Sequence, residues 1–187
     1  MTTTRETLLF RLRDHADDSA WSEFYSVYAP LMYRYARARG LSERDAEEIR
    51  DQCLEVVVRR MPDFEYDRSR GRFKAWLHRI VTGRVVDAHR RRREATAESA
   101  DLAGLLDPQP APDELWEEEW RRGILRASMD RARQLVSPRD FDVFESLLEG
   151  RPVAEVCERF AINPNQVYKA KGRVLKRVRD VMLRIDV

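Results

Sequence analysis

GRPVAEVCERFAINPNQVYKAKGRVLKRVRDV, Gly150 to Val181, is the stretch whose reading decides the architecture of this protein. Val153, Val156, Cys157 and Phe160 recur at i, i+3, i+4 and i+7, the single apolar stripe of a short amphipathic helix. Pro152 suits the first turn, where a missing N–H has no intrahelical partner to lose. Asn163 can cap a second helix, with Pro164 in its first position. Val167, Ala170, Val174, Val178 and Val181 line one face of that helix. The other face carries Asn165, Gln166, Tyr168, Lys169, Lys171, Arg173, Lys176 and Arg177. A short helix, a tight turn and a longer helix with amides and cations outside form a DNA-reading helix-turn-helix. The same residues also fit an ordinary helical hairpin with a solvated basic face, so the rest of the chain must decide.

The 187 residues suffice for one domain or two small ones. Hydrophobic residues make up 43% and charged residues 36%, a composition for compact helical units with heavily charged surfaces. A net charge of +2 does not announce a nucleic-acid partner, but the distribution of charge is uneven. From Arg70 to Arg93 almost every charge is positive; from Glu94 to Trp120 there is no Lys or Arg. The helix-turn-helix is basic again, which implies two cationic surfaces separated by an anionic spacer. Cys53 and Cys157 occupy apolar helical positions and exclude a disulfide framework. His15, His78 and His89 show no metal-ligand spacing with them, so neither a metal nor another cofactor is expected. No segment is apolar enough to span a bilayer and no leader is evident, so the expected location is the cytoplasm.

Outward from the opening stretch, the periodicity is helical throughout. Trp21, Phe24, Tyr25, Tyr28, Leu31, Met32 and Tyr35 repeat at spacings of three and four, with a kink expected near Pro30 and a stop at Gly40. Ser42 and Asp45 resemble a capping box that opens a helix to about Met61. Its inner stripe is Ala46, Ile49, Cys53, Val56 and Val57, leaving Glu47, Glu48, Asp51 and Glu55 outside. Phe64 to Arg72 reads as a loop. Phe73, Trp76, Leu77, Ile80, Val81, Val85 and Ala88 form the next stripe, ending in Arg90-Arg91-Arg92-Arg93. Four consecutive arginines exceed what a helix dipole can use, which favours phosphate contact. Residues 95–112 lack periodicity and hold three prolines, as a linker would. Trp116, Trp120, Ile124 and Ala127 point inward on a helix from near Asp113. A helix capped by Ser137-Pro138 follows, with Phe141, Phe144, Leu147 and Leu148 on its inner side. The expected fold is all-α in two helical domains, 1–94 and 113–187, joined by an acidic flexible linker, 95–112.

Three stretches together resemble the bacterial sigma-70 family, in its small extracytoplasmic-function subfamily. Asp45 to Val58 is similar to the family's acidic helix, Arg72 to Ile80 to its FRAWLYRI segment, and Val153 to Leu175 to its C-terminal helix-turn-helix. The resemblance implies an N-terminal domain like sigma region 2 and a C-terminal domain like sigma region 4. The first would bind core RNA polymerase through Glu47, Glu48, Asp51, Gln52 and Glu55. It would also hold the promoter −10 strand through Arg84, Asp87, His89, Arg90, Arg91, Arg92 and Arg93, with a flipped-base pocket near Thr82 to Asp87. The second would read the −35 duplex: Asn165, Gln166, Tyr168, Lys169 and Arg173 are candidates for base edges, Lys171, Lys176 and Arg177 for phosphates. The implied partners are core polymerase and promoter DNA, with an anti-sigma protein a further candidate; no catalysis, membrane or small-molecule substrate is implied. Two departures stand out: Asp51-Gln52 replaces a common Gln-Glu pair, and Ala161 stands where the family often has Gly.

Two other functions compete with this one. A stand-alone helix-turn-helix regulator would bind a palindromic operator as a dimer. A nuclease could draw on Asp87 with His89, or on His78 with nearby carboxylates, although nothing in the sequence sets their geometry.

Overall fold

The computed structural model describes residues 4–64, 73–96 and 113–185. Most of the expected 64–72 loop and residues 97–112 of the expected linker lie outside the described residues. Those described form helices α1 (Thr4–Arg11), α2 (Asp18–Ala38), α3 (Glu43–Arg60), α4 (Phe73–Thr96), α5 (Glu114–Leu135), α6 (Pro138–Leu148), α7 (Val153–Phe160) and α8 (Pro164–Ile185), with no strand among them. The fold is all-α.

The chain divides into two compact units, one running to Gly123 and the other from Ile124 to Asp186. In the first, α3 packs on α2 and α4. The starts of α2 and α3 follow from their sequence. Asp17 caps α2 by accepting the Ala20 N–H (2.9 Å), and Ser42 caps α3 by accepting the Asp45 N–H (3.1 Å). Pro30 lies inside α2, which continues through it, exposed while Ala29 and Leu31 are buried. The core of this unit includes Phe24, Leu31, Met32, Tyr35, Ile49, Cys53, Val57, Phe73, Leu77 and Val81. Tyr25, placed on the inner stripe by spacing, is 51% exposed.

The first turns of α5 belong to this unit rather than to the second, a division that spacing alone does not show. Trp116 and Trp120 are 2% and 1% exposed. Trp116 stacks on His78 (centroids 4.9 Å apart) and meets Tyr35 edge-on; Trp120 packs on Tyr28. Acidic residues fasten the same turns. Asp113 accepts from Arg39, Tyr35 and His78, and also caps α5 through the Trp116 N–H. Glu119, buried to 5% exposure, pairs with Arg34 at 3.0 Å, and Glu117 pairs with Lys74. Three of the carboxylates that read as spacer charge are therefore internal anchors. Gly123 completes the docking, since a Cβ there would lie 3.2 Å from both Arg34 and Leu31 side-chain atoms.

This cluster sets an acid limit. Burial pushes the His78 pKa below its ordinary 6.5, outweighing the opposing pull of Asp113. Burial works to raise the Asp113 pKa, but its hydrogen bonds from Tyr35, Trp116, Arg39 and His78 prevail and hold it below 3.8. Below about pH 6.5 the unfolded chain protonates His78 before the folded chain does, so stability falls with pH. A second loss, from Asp113, follows as pH drops from near 3.8 toward its lower folded value. Urea unfolding at a series of pH values should show the first decline in wild type and a flatter profile in His78→Gln; identical profiles would contradict the assignment.

In the second unit, α6, α7 and α8 pack on one another around two clusters. One joins Ala132, Phe141, Phe144, Val174 and Val178; the other joins Val143, Val156, Val167 and Ala170. Ser137 caps α6, with Pro138 in the first turn. Leu148, expected inside, is 61% exposed, because it lies at the last turn of α6 just before Gly150 reverses the chain. Ala161 ends α7 in the left-handed region (φ 49°, ψ 53°). An L residue there costs about 1–2 kcal/mol that glycine does not pay. Less the larger unfolded-state entropy of glycine, Ala161→Gly should stabilise this unit by about 0.5–1 kcal/mol. That corresponds to a rise of roughly 2–8 °C in melting temperature, measurable by circular dichroism.

Candidate nucleic-acid interface

The first unit presents two surfaces of opposite charge. On α3, Glu47, Glu48, Asp51 and Glu55 are exposed and Gln52 is half-buried, because Ala46, Ile49, Cys53, Val56 and Val57 hold the other face against α2 and α4. Gln52 donates to Glu48 at 2.7 Å, Arg50 pairs with Asp51 at 2.8 Å, and Arg59 donates to Glu55 at 3.2 Å. The acidic stripe is thus partly ordered by its own helix.

Between α3 and α4 lies a cavity of about 430 Å³ lined by Val56, Arg60, Trp76, Arg79, Ile80, Gly83, Arg84 and Asp87. Trp76 is half-buried, unlike the fully buried Phe73 one turn earlier, so its ring contributes an edge to the cavity as well as to the core. Gly83 has nothing within 4 Å of where a Cβ would stand, which leaves the wall open there. Guanidinium groups, an aromatic ring and a carboxylate around one concavity suit the phosphate, base face and base edge of a nucleotide. Arg84 and Asp87 are candidates from sequence and Trp76 reads there as core rather than as a stacking face, whereas Arg60 and Arg79 are not singled out there. Arg60 escapes notice because it comes from α3, and only packing brings that helix alongside α4. A helical wheel of α3 carries the signal, since Arg60 follows Val56 by four residues on one face.

The rest of the basic segment divides. Arg90, Arg91 and Arg92 are exposed along the last turns of α4, and Arg90 pairs with Asp87 at 3.3 Å. Arg93 is half-buried. His89 is half-buried and its Nε2 lies 3.0 Å from the Arg39 carbonyl, so it ties α4 to the residue that caps α2. His78, the other histidine considered for catalysis, is 7% exposed within the α5 anchor. Among the described residues no group of three or more His, Cys, Asp or Glu is placed to hold a metal ion.

In the second unit all eight polar residues selected on α8 are exposed, while Val167, Ala170, Val174, Val178 and Val181 are buried. Two of the eight have structural duties, Gln166 in a local cap that its spacing from Asn163 carries and Arg173 in a pair that only packing brings together. The Gln166 carboxamide oxygen accepts the Asn163 N–H, and Asn163 returns a bond to the Gln166 N–H, both at 2.9 Å. That reciprocal cap engages one lone pair of the Gln166 oxygen and fixes the orientation of its carboxamide. Arg173 forms two bonds with Asp140 of α6, at 2.7 and 2.6 Å. Asn165, Tyr168 and Lys169 stand at the outer edge of the first turns, with Tyr168 58% exposed.

Comparison with known proteins agrees with this geometry. Residues 24–95, from α2 to the end of α4, match the family model for sigma-70 region 2. Residues 24–95 form a sigma-70 region 2 domain. It is 29% identical over 121 residues to the ECF RNA polymerase sigma factor SigE of Mycolicibacterium smegmatis, covering 63% of this chain and 45% of that protein. It is 27% identical over 137 residues to the ECF RNA polymerase sigma factor RpoE of Cereibacter sphaeroides, covering 72% of this chain and 74% of that protein. The match therefore spans less than half the length of the first of these relatives. The α3–α4 cavity lies wholly within the region 2 match, and α8 lies beyond it. No helix among the described residues is long and apolar enough to cross a membrane.

Proposed function

We propose that this protein is a sigma factor of the sigma-70 family that binds core RNA polymerase and directs promoter-specific initiation from −10 and −35 elements. The observation that carries the proposal is the α3–α4 cavity, with its arginines, Trp76 and Asp87, inside the region 2 match. Its composition suits an opened −10 strand: arginine for phosphates, an aromatic face for a base. The exposed acidic stripe of α3 suits a basic surface of core polymerase, by charge complementarity. The outward face of α8 suits duplex DNA at −35, with Asn165, Tyr168 and Lys169 toward base edges and Lys171, Lys176 and Arg177 toward phosphates. On this reading the protein supplies recognition rather than catalysis, acts where the polymerase acts, and needs no cofactor.

The span between the elements makes core polymerase part of the reader. Duplex elements some 17 base pairs apart are separated by about 58 Å. Core polymerase would hold the two readers at that separation. Purified chain added to core polymerase should give transcripts from discrete start sites that share upstream motifs; failure to bind core in a pull-down defeats the proposal. Tight binding of a palindromic duplex without polymerase would favour a stand-alone regulator instead.

A further inference from the structure

Arg173 differs from the other cations on α8 in having its orientation held by a partner from another helix. Its Nε donates to Asp140 Oδ2 at 2.7 Å and its Nη2 to Asp140 Oδ1 at 2.6 Å. Asp140 is itself well placed to hold. It sits in the first turn of α6, where a carboxylate is favoured by the helix dipole, and its N–H is capped by Ser137 at 3.1 Å. The Arg173 side chain is 57% exposed and that of Asp140 only 17%, so the carboxylate lies beneath the guanidinium. An ion pair this exposed adds little to stability. Its consequence is geometric.

A guanidinium carries five N–H donors in a planar fork. Asp140 takes the edge formed by Nε and Nη2. The end-on edge, made by the Nη1 donors and the second Nη2 donor, is left for a ligand. Two parallel donors on one edge match N7 and O6 of guanine in the major groove. We infer that Asp140 is a positioning residue that locks Arg173 to read a guanine in the −35 duplex. This inference rests on the promoter-reading function proposed above and names the base and the second residue that reading needs.

The test is selection from a duplex library randomised across the −35 region, using the full chain assembled with core polymerase. Wild type should enrich a motif containing guanine at one position where Asp140→Asn loses the preference by about 5-fold or more, the lower end for a bidentate base contact. The salt slope of binding should stay unchanged, since no phosphate contact is removed. Arg173→Lys keeps the charge but not the fork; it should lose the same preference at the same position, and Asp140→Asn should then add nothing. Arg173→Lys alone carries the test if Asp140→Asn lowers the melting temperature enough to compromise binding. An unchanged base preference in both variants overturns the inference while leaving the sigma-factor reading intact. Tighter binding of Asp140→Asn to all sequences, with a steeper salt slope, also overturns it, because Asp140 would then be masking Arg173. No enriched motif with wild type overturns the promoter reading and this inference with it.

Discussion

Trp120→Ala should lower the stability of the first unit by about 3–5 kcal/mol, the range for deleting a fully buried tryptophan. Trp120 is 1% exposed and packs against Tyr28 and Trp116, with the Lys74 ammonium 5.4 Å from its ring centre. Losing it empties the contact between α5 and α2 and loosens the Glu119–Arg34 and Glu117–Lys74 pairs on either side. Against a typical domain stability of about 5–15 kcal/mol, the loss is large. Hydrogen exchange read helix by helix is the appropriate measurement, because the second unit has its own core and can unfold separately. Faster exchange should appear in α2 and in the first turns of α5 while α6 to α8 keep their protection. A change below about 1 kcal/mol in α2 would mean that the α5 turns do not pack as described.

Removing Arg60, Arg79 and Arg84 together, each to Ala, should weaken binding of a labelled single-stranded oligonucleotide by about 100-fold at about 0.1 M salt. The figure follows from about 0.7 in the salt slope for each lost phosphate contact on a single strand. The three side chains line one cavity and come from two helices, so the substitution tests the concavity rather than a run of sequence. The slope itself should fall by about 2, which separates lost phosphate contacts from lost folding. Arg60 and Arg79 are exposed and Arg84 is half-buried, so the fold should survive the change. Undiminished binding would place the strand elsewhere, with the exposed Arg90 to Arg92 run the next surface to test.

The apolar stripes of α3, α4 and α8 were plain in the spacing, and the residues they name are buried: Ile49, Cys53, Leu77, Val81, Val167 and Val174. Spacing could not say which helix a stripe would meet. Trp116 and Trp120 read as part of the C-terminal domain because they follow the proline-containing segment, yet they complete the core of the first unit. Asp113, Glu117 and Glu119 read as spacer charge for the same reason, and each has its cation in the first unit, at the C-cap of α2 (Arg39), on α4 (Lys74) or on α2 (Arg34).

Local chemistry was therefore enough to determine the helices, their caps and their outward faces, because those depend on neighbours three and four residues away. The all-α class, the cap at Ser42, the turn at Ala161 and the polar face of α8 all followed from it. Tertiary structure alone decided which polar groups remain available on those faces. His89 is held by the carbonyl of Arg39, which caps α2, and Arg173 by Asp140, 33 residues earlier in the chain. A hydrogen bond is satisfied at about 3 Å in space whatever the separation in sequence. The functional edge of each side chain is set by which of its donors and acceptors the fold has already used.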